Sequence, residues 1–283
     1  MRILVTGAAG LVGRHLVDSF APEHDVVALR HGDLDITDRE AVHRVLSDAK
    51  PSLVVNCVVN GVDECERAPE RAHVVNVDGP GNLAEAAARV DAEIIHFGTN
   101  YAFAGKEMGR RPYTIEDRPD PVNVYGRVKV AGEQAVRESC SRSYIIRTAW
   151  VYGKGKNVFI CTVHRDLLAK KSVRAISDVW SPTTYVMDLV KRVREILKIR
   201  RYGTYHVVND GVCSCYEFAL EVGRLIGLPK TEVDSLVEIV KEEEMNRTAA
   251  RPSYTPMRCL LSEELGLPPM RDWRAALADY VKP

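Results

Sequence analysis

Short apolar runs alternate with longer segments of helical period through the first half of the chain. The apolar runs indicate buried strands at residues 2–6, 25–29, 52–59, 93–97 and 143–148. Between them, apolar residues at helical spacing indicate helices from the turn after the first strand to Phe20, over 39–48 and over about 69–89. This alternation predicts an α/β fold, a Rossmann-like doubly wound parallel sheet with right-handed crossovers.

Beyond residue 150 the alternation loosens. Helical patterns near 157–170, 185–198, 214–226 and 272–281 are mixed with strand patterns near 173–176 and 204–208. Ser214 followed by Glu217 forms a capping box at the start of one of these helices. We therefore expect a Rossmann domain that binds NAD(P) over residues 1–150. A smaller mixed α/β domain over 151–283 would mainly bind substrate, with segments returning to the Rossmann sheet.

Three glycines follow the first strand at every third position. Gly7, Gly10 and Gly13 allow a tight turn, let backbone N–H groups approach a pyrophosphate, and place it at a helix N-terminus. Because the triplet lies between a first strand and a first helix, it favours dinucleotide binding over a purely structural turn. Leu11 and Val12 lie within this turn and are expected to share the cofactor site.

The residue after the second strand distinguishes between the two nicotinamide dinucleotides. A NAD site usually has a carboxylate there, whereas this chain has Arg30. A guanidinium suits a 2′-phosphate, so NADP(H) is favoured and NAD(H) remains the alternative; a solvated surface arginine is the other interpretation. Asp35 and Ile36 can close around an adenine. The end of the third strand adds Cys57-Val58-Val59 to the expected cofactor site.

A tyrosine and a lysine four residues apart supply candidate acid–base chemistry. Tyr125 and Lys129 share one helix face, and the ammonium is expected to stabilise the phenolate. Tyr152 and Lys156 have the same spacing, but two intervening glycines disfavour a helix there. Thr99, at the end of the fourth strand, can hydrogen-bond a reacting oxygen beside Tyr125; a strand-end cap is its structural alternative.

Composition narrows the function classes. The chain has 283 residues with 39 basic and 39 acidic side chains, so no global charge favours nucleic acid or a membrane surface. Seven scattered cysteines without a CxxC pair, and histidines without ligand spacing, predict no metal site and a reducing cytoplasm. The acidic run 242–244 is interpreted as a solvated face. Residues 104–120 are interpreted as a surface loop.

Taken together, these motifs resemble the extended short-chain dehydrogenases/reductases, and within them the dTDP-4-dehydrorhamnose reductases. The resemblance runs nearly end to end and is carried by stretches 99–105, 121–133, 147–153, 181–183, 203–206, 250–252 and 267–268.

The resemblance implies hydride transfer from a nicotinamide to the 4-keto carbon of a dTDP-linked deoxy sugar. Tyr125 would protonate the alkoxide, Lys129 would bind the nicotinamide ribose and lower the pKa of the tyrosine, and Thr99 would bind the carbonyl oxygen. The sugar would contact Thr99, Asn100, Tyr101 and Trp150. A small-molecule nucleotide sugar would be the partner, and a homodimer is possible.

Three departures from the family pattern lie where cofactor or substrate is expected. The segment 56–63 is one residue short and bulkier, Asn100 replaces a usual aspartate, and the segment before Ser181 is also one residue short. They bear on which substrate is bound.

Two alternatives stay open at this point. One is another nucleotide-sugar enzyme of the superfamily, a 4-epimerase or a dehydratase, although Asn100 and Tyr101 provide no acid for dehydration. The other is a non-catalytic NADP-binding subunit, because the regulatory subunit of methionine adenosyltransferase resembles the same reductases.

Overall fold

Strands and helices follow one another in the order that the apolar runs predict. The computed structural model describes residues 1–106, 109 and 111–282. The elements of the first half are β1 (Arg2–Thr6), α1 (Leu11–Phe20), β2 (Asp25–Leu29), α2 (Arg39–Ala49), β3 (Leu53–Asn56), α3 (Val62–Arg67), α4 (Pro69–His73), a π-helical turn (Val74–Asp78), α5 (Gly79–Arg89), β4 (Glu93–Thr99), a 3₁₀ turn (Asn100–Ala102), α6 (Val124–Ser139) and β5 (Ser143–Thr148).

The second half mixes short strands and helices. Its elements are β6 (Val151–Tyr152), α7 (Phe159–Leu168), β7 (Val173–Ile176), β8 (Thr184–Tyr185), α8 (Val186–Ile199), β9 (Gly203–His206), α9 (Cys215–Leu225), α10 (Lys230–Leu236), β10 (Val237–Val240), a 3₁₀ turn (Glu242–Met245), α11 (Leu260–Glu264) and α12 (Trp273–Val281).

The main sheet has the strand order β2-β1-β3-β4-β5-β9 within the described residues, and every neighbouring pair is parallel. Buried apolar side chains cover both of its faces. One face packs against α1 and α8, through Leu16, Phe20 and Val193 among others. The other packs against α2 and α5, through Leu46 and Ala84 among others. The predicted α/β class with a parallel, doubly wound sheet is confirmed.

A second core lies in the C-terminal half. Tyr152, Phe218, Trp273 and Tyr280 belong to one buried cluster that joins α7, α9 and α12. Strands β7 and β10 pair in parallel beside it. Helix α8 and strand β9 belong instead to the main sheet's layers. The division at residues 150 and 151 stays a prediction.

The end of β3 and the helix expected over 69–89 both differ from the sequence expectation. Strand β3 ends at Asn56 instead of Val59, because the Asn56 side chain turns back to accept the backbone N–H of Val58 at 3.1 Å. The helix expected over 69–89 contains the π-helical turn, which ends just before Pro80. A proline has no N–H for the carbonyl four residues earlier, so regular helical bonding is interrupted there.

The stretch 104–120 is only partly a surface loop, and residues 107, 108 and 110 lie outside the described part. Its Tyr113 is buried and stacks on Phe103 with ring centroids 4.3 Å apart. The Tyr113 N–H also donates to the carbonyl of Pro256 at 2.8 Å. The loop is therefore attached to the C-terminal region. Among the described residues, no helix combines the length and apolarity that crossing a membrane requires.

Candidate active site

A cavity of about 800 Å³ opens at the carboxyl ends of the parallel strands β1, β3, β4 and β5. This is the edge at which doubly wound sheets bind ligands. From the Rossmann half it is lined by residues 9–13, 57–59, 62, 97–101, 125, 129 and 148–150. From the C-terminal half it is lined by residues 151, 155–160, 176, 179, 215, 242, 247 and 251. The cavity therefore brings most of the predicted site residues together.

The glycine turn forms a cradle that larger residues would fill. Gly7 has a φ of 67°, and a Cβ there would lie 2.8 Å from the carbonyl carbon of Cys57. A Cβ on Gly13 would lie 2.3 Å from the carbonyl oxygen of Gly7. Gly10 is the N-cap of α1 and lines the cavity together with Leu11, Val12 and Gly13, while Gly7 lies behind them. Backbone and helix N-terminus thus leave room for a pyrophosphate.

The segment after β3 forms the next part of the wall. Cys57, Val58 and Val59 all line the cavity, as the sequence predicts. Burial raises the pKa of the Cys57 thiol to about 12, so it stays protonated at neutral pH. Cys57 therefore lines the cavity as a neutral, apolar side chain and does not act as a nucleophile.

Besides Gly7, three predicted cofactor residues lie outside the cavity lining within the described part of the chain. Arg30 is exposed directly after β2, and its backbone N–H donates to the Asp33 carboxylate at 2.8 Å. The Asp35 carboxylate accepts from the backbone and hydroxyl of Thr37, which lowers its pKa. Ile36 is buried in the core that packs against α5. Roles for these residues in cofactor binding stay predictions.

Helix α6 delivers Tyr125 and Lys129 to the cavity. Its N-cap Asn123 accepts the N–H of Gly126 at 2.8 Å and donates to the carbonyl of Ala250 at 2.7 Å. A Cβ on Gly126 would lie 2.3 Å from the carbonyl oxygen of Tyr101, so only glycine lets the helix approach the turn after β4 so closely. That approach brings Tyr125 beside Thr99, within hydrogen-bonding influence of its hydroxyl.

Burial is the largest influence on the pKa values of Tyr125 and Lys129. Burial raises the pKa of Tyr125, and the hydrogen bond with Thr99 only partly opposes this. Burial also lowers the pKa of Lys129 to about 8, although Glu133 favours its charged form. The expected lowering of the tyrosine pKa is therefore wrong in direction, because the cost of a buried phenolate exceeds the stabilisation from neighbouring groups. Tyr125 is held as a phenol, which is the form that donates a proton.

The predicted sugar contacts have different surroundings. Tyr101 meets Tyr125 edge to face with ring centroids 5.8 Å apart, and both rings line the cavity. Asn100 also lines it, but its amide donates to the hydroxyls of Ser181 and Thr255 at 3.2 and 2.8 Å. Its amide thus ties the 3₁₀ turn after β4 to the C-terminal region.

Trp150 lines the cavity from a strained backbone. Its φ is 36°, in the left-handed region that bulky residues avoid. The Trp150 carbonyl accepts the Thr184 N–H at 3.3 Å, and the Thr184 hydroxyl donates to the carbonyl of Ala149 at 2.7 Å. Strain held by surrounding structure at a cavity is typical of binding sites.

Sequence reasoning missed a charged group at the C-terminal end of the cavity. Glu242, interpreted as part of a solvated face, lines the cavity half-buried, and burial raises its pKa. Arg247 lies 3.3 Å from its carboxylate. Glu243 and Glu244 are exposed, so the acidic run divides between cavity and solvent. A run of like residues in the sequence carries no signal for that division.

A second charged pair connects the shortened segment 56–63 to the C-terminal region. Arg251 donates through both terminal nitrogens to the Asp63 carboxylate at 2.8 and 2.7 Å. This bidentate pair lowers the pKa of Asp63 to about 2. Arg251 lies in one of the stretches that carried the resemblance, which was the only sequence signal for it.

Comparison with known proteins agrees with these features. The model of the RmlD substrate binding domain family matches residues 1–283. A dTDP-4-dehydrorhamnose reductase of Mycolicibacterium smegmatis is 40% identical, over 99% of this chain and 85% of the relative. A dTDP-4-keto-6-deoxy-D-glucose reductase of Streptomyces niveus is 34% identical, over 98% of this chain and 95% of the relative.

A solved structure is also similar over nearly its whole length. The dTDP-4-dehydrorhamnose reductase of Bacillus anthracis, in complex with NADP, has a TM-score of 0.91 and 31% identity, covering 99% of this chain and 98% of that one. With a family model that spans every residue and relatives above 30% identity over nearly the whole chain, this protein belongs to the RmlD substrate binding domain family.

Proposed function

We propose that this protein is an NADPH-dependent reductase of the 4-keto group of a dTDP-linked deoxy sugar. The observation that carries the proposal is the convergence of Thr99, Tyr125 and Lys129 on the cavity that the glycine turn also lines. The family relationship and the names of the relatives support the same reaction. The first candidate substrate is dTDP-4-dehydro-6-deoxy-L-mannose.

The residues of the cavity divide the chemistry among themselves. A bound nicotinamide would supply the hydride. The Tyr125 phenol gives its proton to the alkoxide oxygen as the carbonyl is reduced, acting as a general acid. Thr99 donates to the same oxygen and holds it near the phenol. Lys129, in its ammonium form, binds the nicotinamide ribose and stabilises the tyrosinate left behind.

The cofactor assignment is supported by the shape of the glycine cradle and by the side chain at Arg30. The cradle excludes any Cβ at Gly7 or Gly13, which leaves backbone N–H groups free to bind a pyrophosphate. Arg30 follows β2, where its guanidinium suits a 2′-phosphate. We infer a preference for NADPH over NADH, with Asp35 and Ile36 on the adenine side.

The division of labour between the halves follows the lining of the cavity. We infer that residues 1–150 mainly hold the cofactor, whereas Trp150 and the C-terminal lining mainly hold the nucleotide sugar. Glu242 and Arg247 lie in that C-terminal lining, so we assign them to substrate contact. A cytoplasmic location accords with seven free cysteines. A homodimer stays a prediction, tested by mass measurement in solution.

The experiment is nicotinamide oxidation with dTDP-4-dehydro-6-deoxy-L-mannose, comparing NADPH with NADH and wild type with Tyr125→Phe. We expect faster turnover with NADPH, and a loss of about a hundredfold or more in kcat for the variant, since it lacks the acidic proton. Tyr152→Phe is the matched control, because Tyr152 belongs to the chain's other Tyr-x-x-x-Lys stretch and is fully buried in the C-terminal core. Equal activity of Tyr125→Phe and wild type would remove Tyr125 from its role.

A second candidate substrate is favoured by one relative. The Streptomyces niveus protein is named for dTDP-4-keto-6-deoxy-D-glucose, so this diastereomeric 4-keto sugar belongs in the same assay. Turnover of this sugar alone would change the substrate but keep the mechanism. Cofactor binding without turnover of any 4-keto sugar would favour the regulatory-subunit alternative. Tightly retained cofactor together with interconversion of sugars would favour an epimerase.

A further inference from the structure

A buried row of polar side chains runs from the first strand to Lys129. The Thr6 hydroxyl donates to the Asn56 amide oxygen at 3.0 Å, and the Asn56 amide nitrogen lies 3.2 Å from Nδ1 of His96. Nε2 of His96 lies 3.4 Å from Nζ of Lys129. His96 is fully buried and Lys129 is 2% exposed. The row therefore reaches the site from inside the sheet, away from solvent.

The side-chain amide of Asn56 has only one possible orientation in this row. The backbone N–H of Val58 donates to the Asn56 oxygen at 3.1 Å, and a backbone N–H can only donate. The atom that faces it must therefore be Oδ1. The Asn56 amide nitrogen is then the atom that faces His96.

The orientation of Asn56 determines where His96 carries its proton. An amide NH₂ group can only donate, so Nδ1 of His96 must offer its lone pair. His96 is neutral, because burial and then the nearby charge of Lys129 hold its pKa well below its usual range. A neutral imidazole with an unprotonated Nδ1 carries its hydrogen on Nε2. That N–H lies on the side of Lys129.

An N–H group facing a lysine favours one of its two protonation states. An ammonium has three donors and no acceptor, so the charged form of Lys129 would set donor against donor. The amine has a lone pair that can accept from Nε2. We propose that His96, oriented by Asn56, is a positioning residue that acts through Lys129 by disfavouring its ammonium form.

Other groups around Lys129 act on the same equilibrium. Burial lowers the pKa of Lys129, and the negative charge of Glu133 on its own helix opposes this. The nearby thiols of Cys57 and Cys65 have pKa values raised to about 12 and about 11, so they are uncharged where Lys129 titrates. The Glu133 carboxylate is itself paired with Arg147 of β5 at 2.7 Å. In the described part of the chain, the polar side-chain atom within hydrogen-bond distance of Nζ is Nε2 of His96, at 3.4 Å, so His96 supplies a separate contribution.

The effect of His96 on Lys129 has a consequence for catalysis, and this consequence rests on the proposed function. The ammonium form stabilises the tyrosinate, so reduction should slow as the pH rises through the Lys129 pKa of about 8. A histidine that offered a lone pair instead would move that loss to higher pH. The row would thus set the upper pH limit of the enzyme.

The proton position on His96 can be measured without substrate. In protein labelled with ¹⁵N-histidine, the nitrogen signals of His96, assigned by their loss in His96→Phe, report which ring nitrogen is protonated. We expect Nε2–H in the wild type and Nδ1–H in Asn56→Asp, where an isosteric carboxylate can accept from Nδ1. Nδ1–H in the wild type would overturn the proposal. Failure of the proposed reaction would leave this result intact.

The effect on Lys129 is measured by titration of ¹³C-labelled lysine, with Lys129→Met for assignment. Asn56→Asp should raise the pKa of Lys129 by about one unit or more, a tenfold change in its protonation equilibrium. The added charge contributes part of this rise, so the same substitution is also made in the His96→Phe background. A smaller rise there supports the switch of the histidine proton. Equal rises in both backgrounds would overturn the proposal.

The pH dependence of kcat/KM gives a second readout once a substrate turns over. We expect its alkaline limb to move upward in Asn56→Asp relative to the wild type. A merely structural role would lower activity at every pH without moving the limb. If His96→Phe does not fold, the comparison between wild type and Asn56→Asp still decides the proton position, because that measurement needs neither turnover nor the phenylalanine variant's stability; the wild-type signals are then assigned by their response to Asn56→Asp.

Discussion

Single residues at the glycine turn decide how closely the backbone can approach a cofactor. The cradle has no space for even one methyl group at Gly13, because the Gly7 carbonyl lies where a Cβ would be. The close packing of Gly13 against Gly7 can therefore be tested by a substitution that adds a single methyl group.

Gly13→Ala is expected to weaken NADPH binding by about tenfold or more, or roughly 1.4 kcal/mol. Its Cβ would lie 2.3 Å from the Gly7 oxygen, so the turn must open. Fluorescence titration with NADPH measures the change. Gly32→Ala is the matched control, since a Cβ there meets no atom within 4 Å. Equal losses in both variants would show that the effect is general to the fold.

The ion pair between Asp63 and Arg251 leads to a prediction about stability at acid pH. Its pKa is lowered to about 2 by Arg251, from an ordinary value near 3.8. A carboxyl group whose pKa is lower in the folded than in the unfolded protein stabilises the fold fully at pH values above its unfolded-state pKa. This stabilisation is lost as the pH falls through its folded-state pKa. The contribution of the pair should therefore disappear between about pH 4 and pH 2.

Urea unfolding across that range compares wild type with Asp63→Asn. The difference in unfolding free energy between the two should shrink as the pH falls, because protonation makes the wild-type side chain neutral as well. At the acid end of the pH range both side chains are neutral, so the comparison of the two proteins there serves as the control. A difference that stays constant over the whole range would mean that the ion pair does not contribute.

At the scale of elements, the start of α6 positions the proposed acid. Asn123 caps the helix and also binds the Ala250 carbonyl, so one side chain joins α6 to the C-terminal region. Gly126 then lets the first turn of α6 contact the turn after β4. Tyr125 lies between these two contacts. The geometry of the site depends on where this helix begins.

Asn123→Ala is expected to cost about 1 kcal/mol of unfolding free energy for the cap alone. It should also lower kcat, because the first turn of α6 carries Tyr125. Asp272→Ala removes the cap of α12, where the carboxylate accepts the Arg274 N–H at 2.7 Å. Thermal unfolding and turnover are measured for both variants. We expect a stability loss in both variants, larger for Asn123→Ala because the bond to the Ala250 carbonyl is lost as well, but a loss of kcat only for Asn123→Ala. A parallel loss of kcat in both variants would contradict the positioning role of the cap.

At the scale of the whole molecule, the cavity is shared by two parts of the chain that are distant in sequence. The glycine turn and the segment 57–59 line the side of the cavity that we assign to the cofactor, and the 3₁₀ turn at Glu242–Met245 belongs to the opposite half of the chain. Cofactor and nucleotide should therefore slow hydrogen exchange in different segments. A bound ligand also stabilises the fold, by about 2.7 kcal/mol when the free ligand concentration is a hundred times its Kd.

Hydrogen exchange with NADPH alone is expected to protect mainly residues 9–13 and 57–59. Addition of dTDP should then protect the segment 242–251. dTDP without NADPH is the control for order of binding. Protection of 242–251 by NADPH alone, to the same degree, would contradict the assignment of the C-terminal lining to the nucleotide sugar.

Local pattern was enough to predict much of the fold. The period of apolar residues is a property of neighbouring positions, so β1, β4, β5 and the helices between them follow from it. Spacing alone placed Tyr125 and Lys129 on one helix face, and the glycines between Tyr152 and Lys156 correctly argued against a helix there. The order of strands and helices then indicated the parallel sheet, and with it the edge where a site would form.

Tertiary structure decided what depends on burial and on distant partners. Arg251 meets Asp63 across 188 positions, and Glu242 enters the cavity while its neighbours stay in solvent. The pKa of Tyr125 rises because the surrounding chain excludes water, which no spacing of residues reveals. Secondary structure is encoded over a few residues, whereas the electrostatics of a site are the sum over every segment that packs around it.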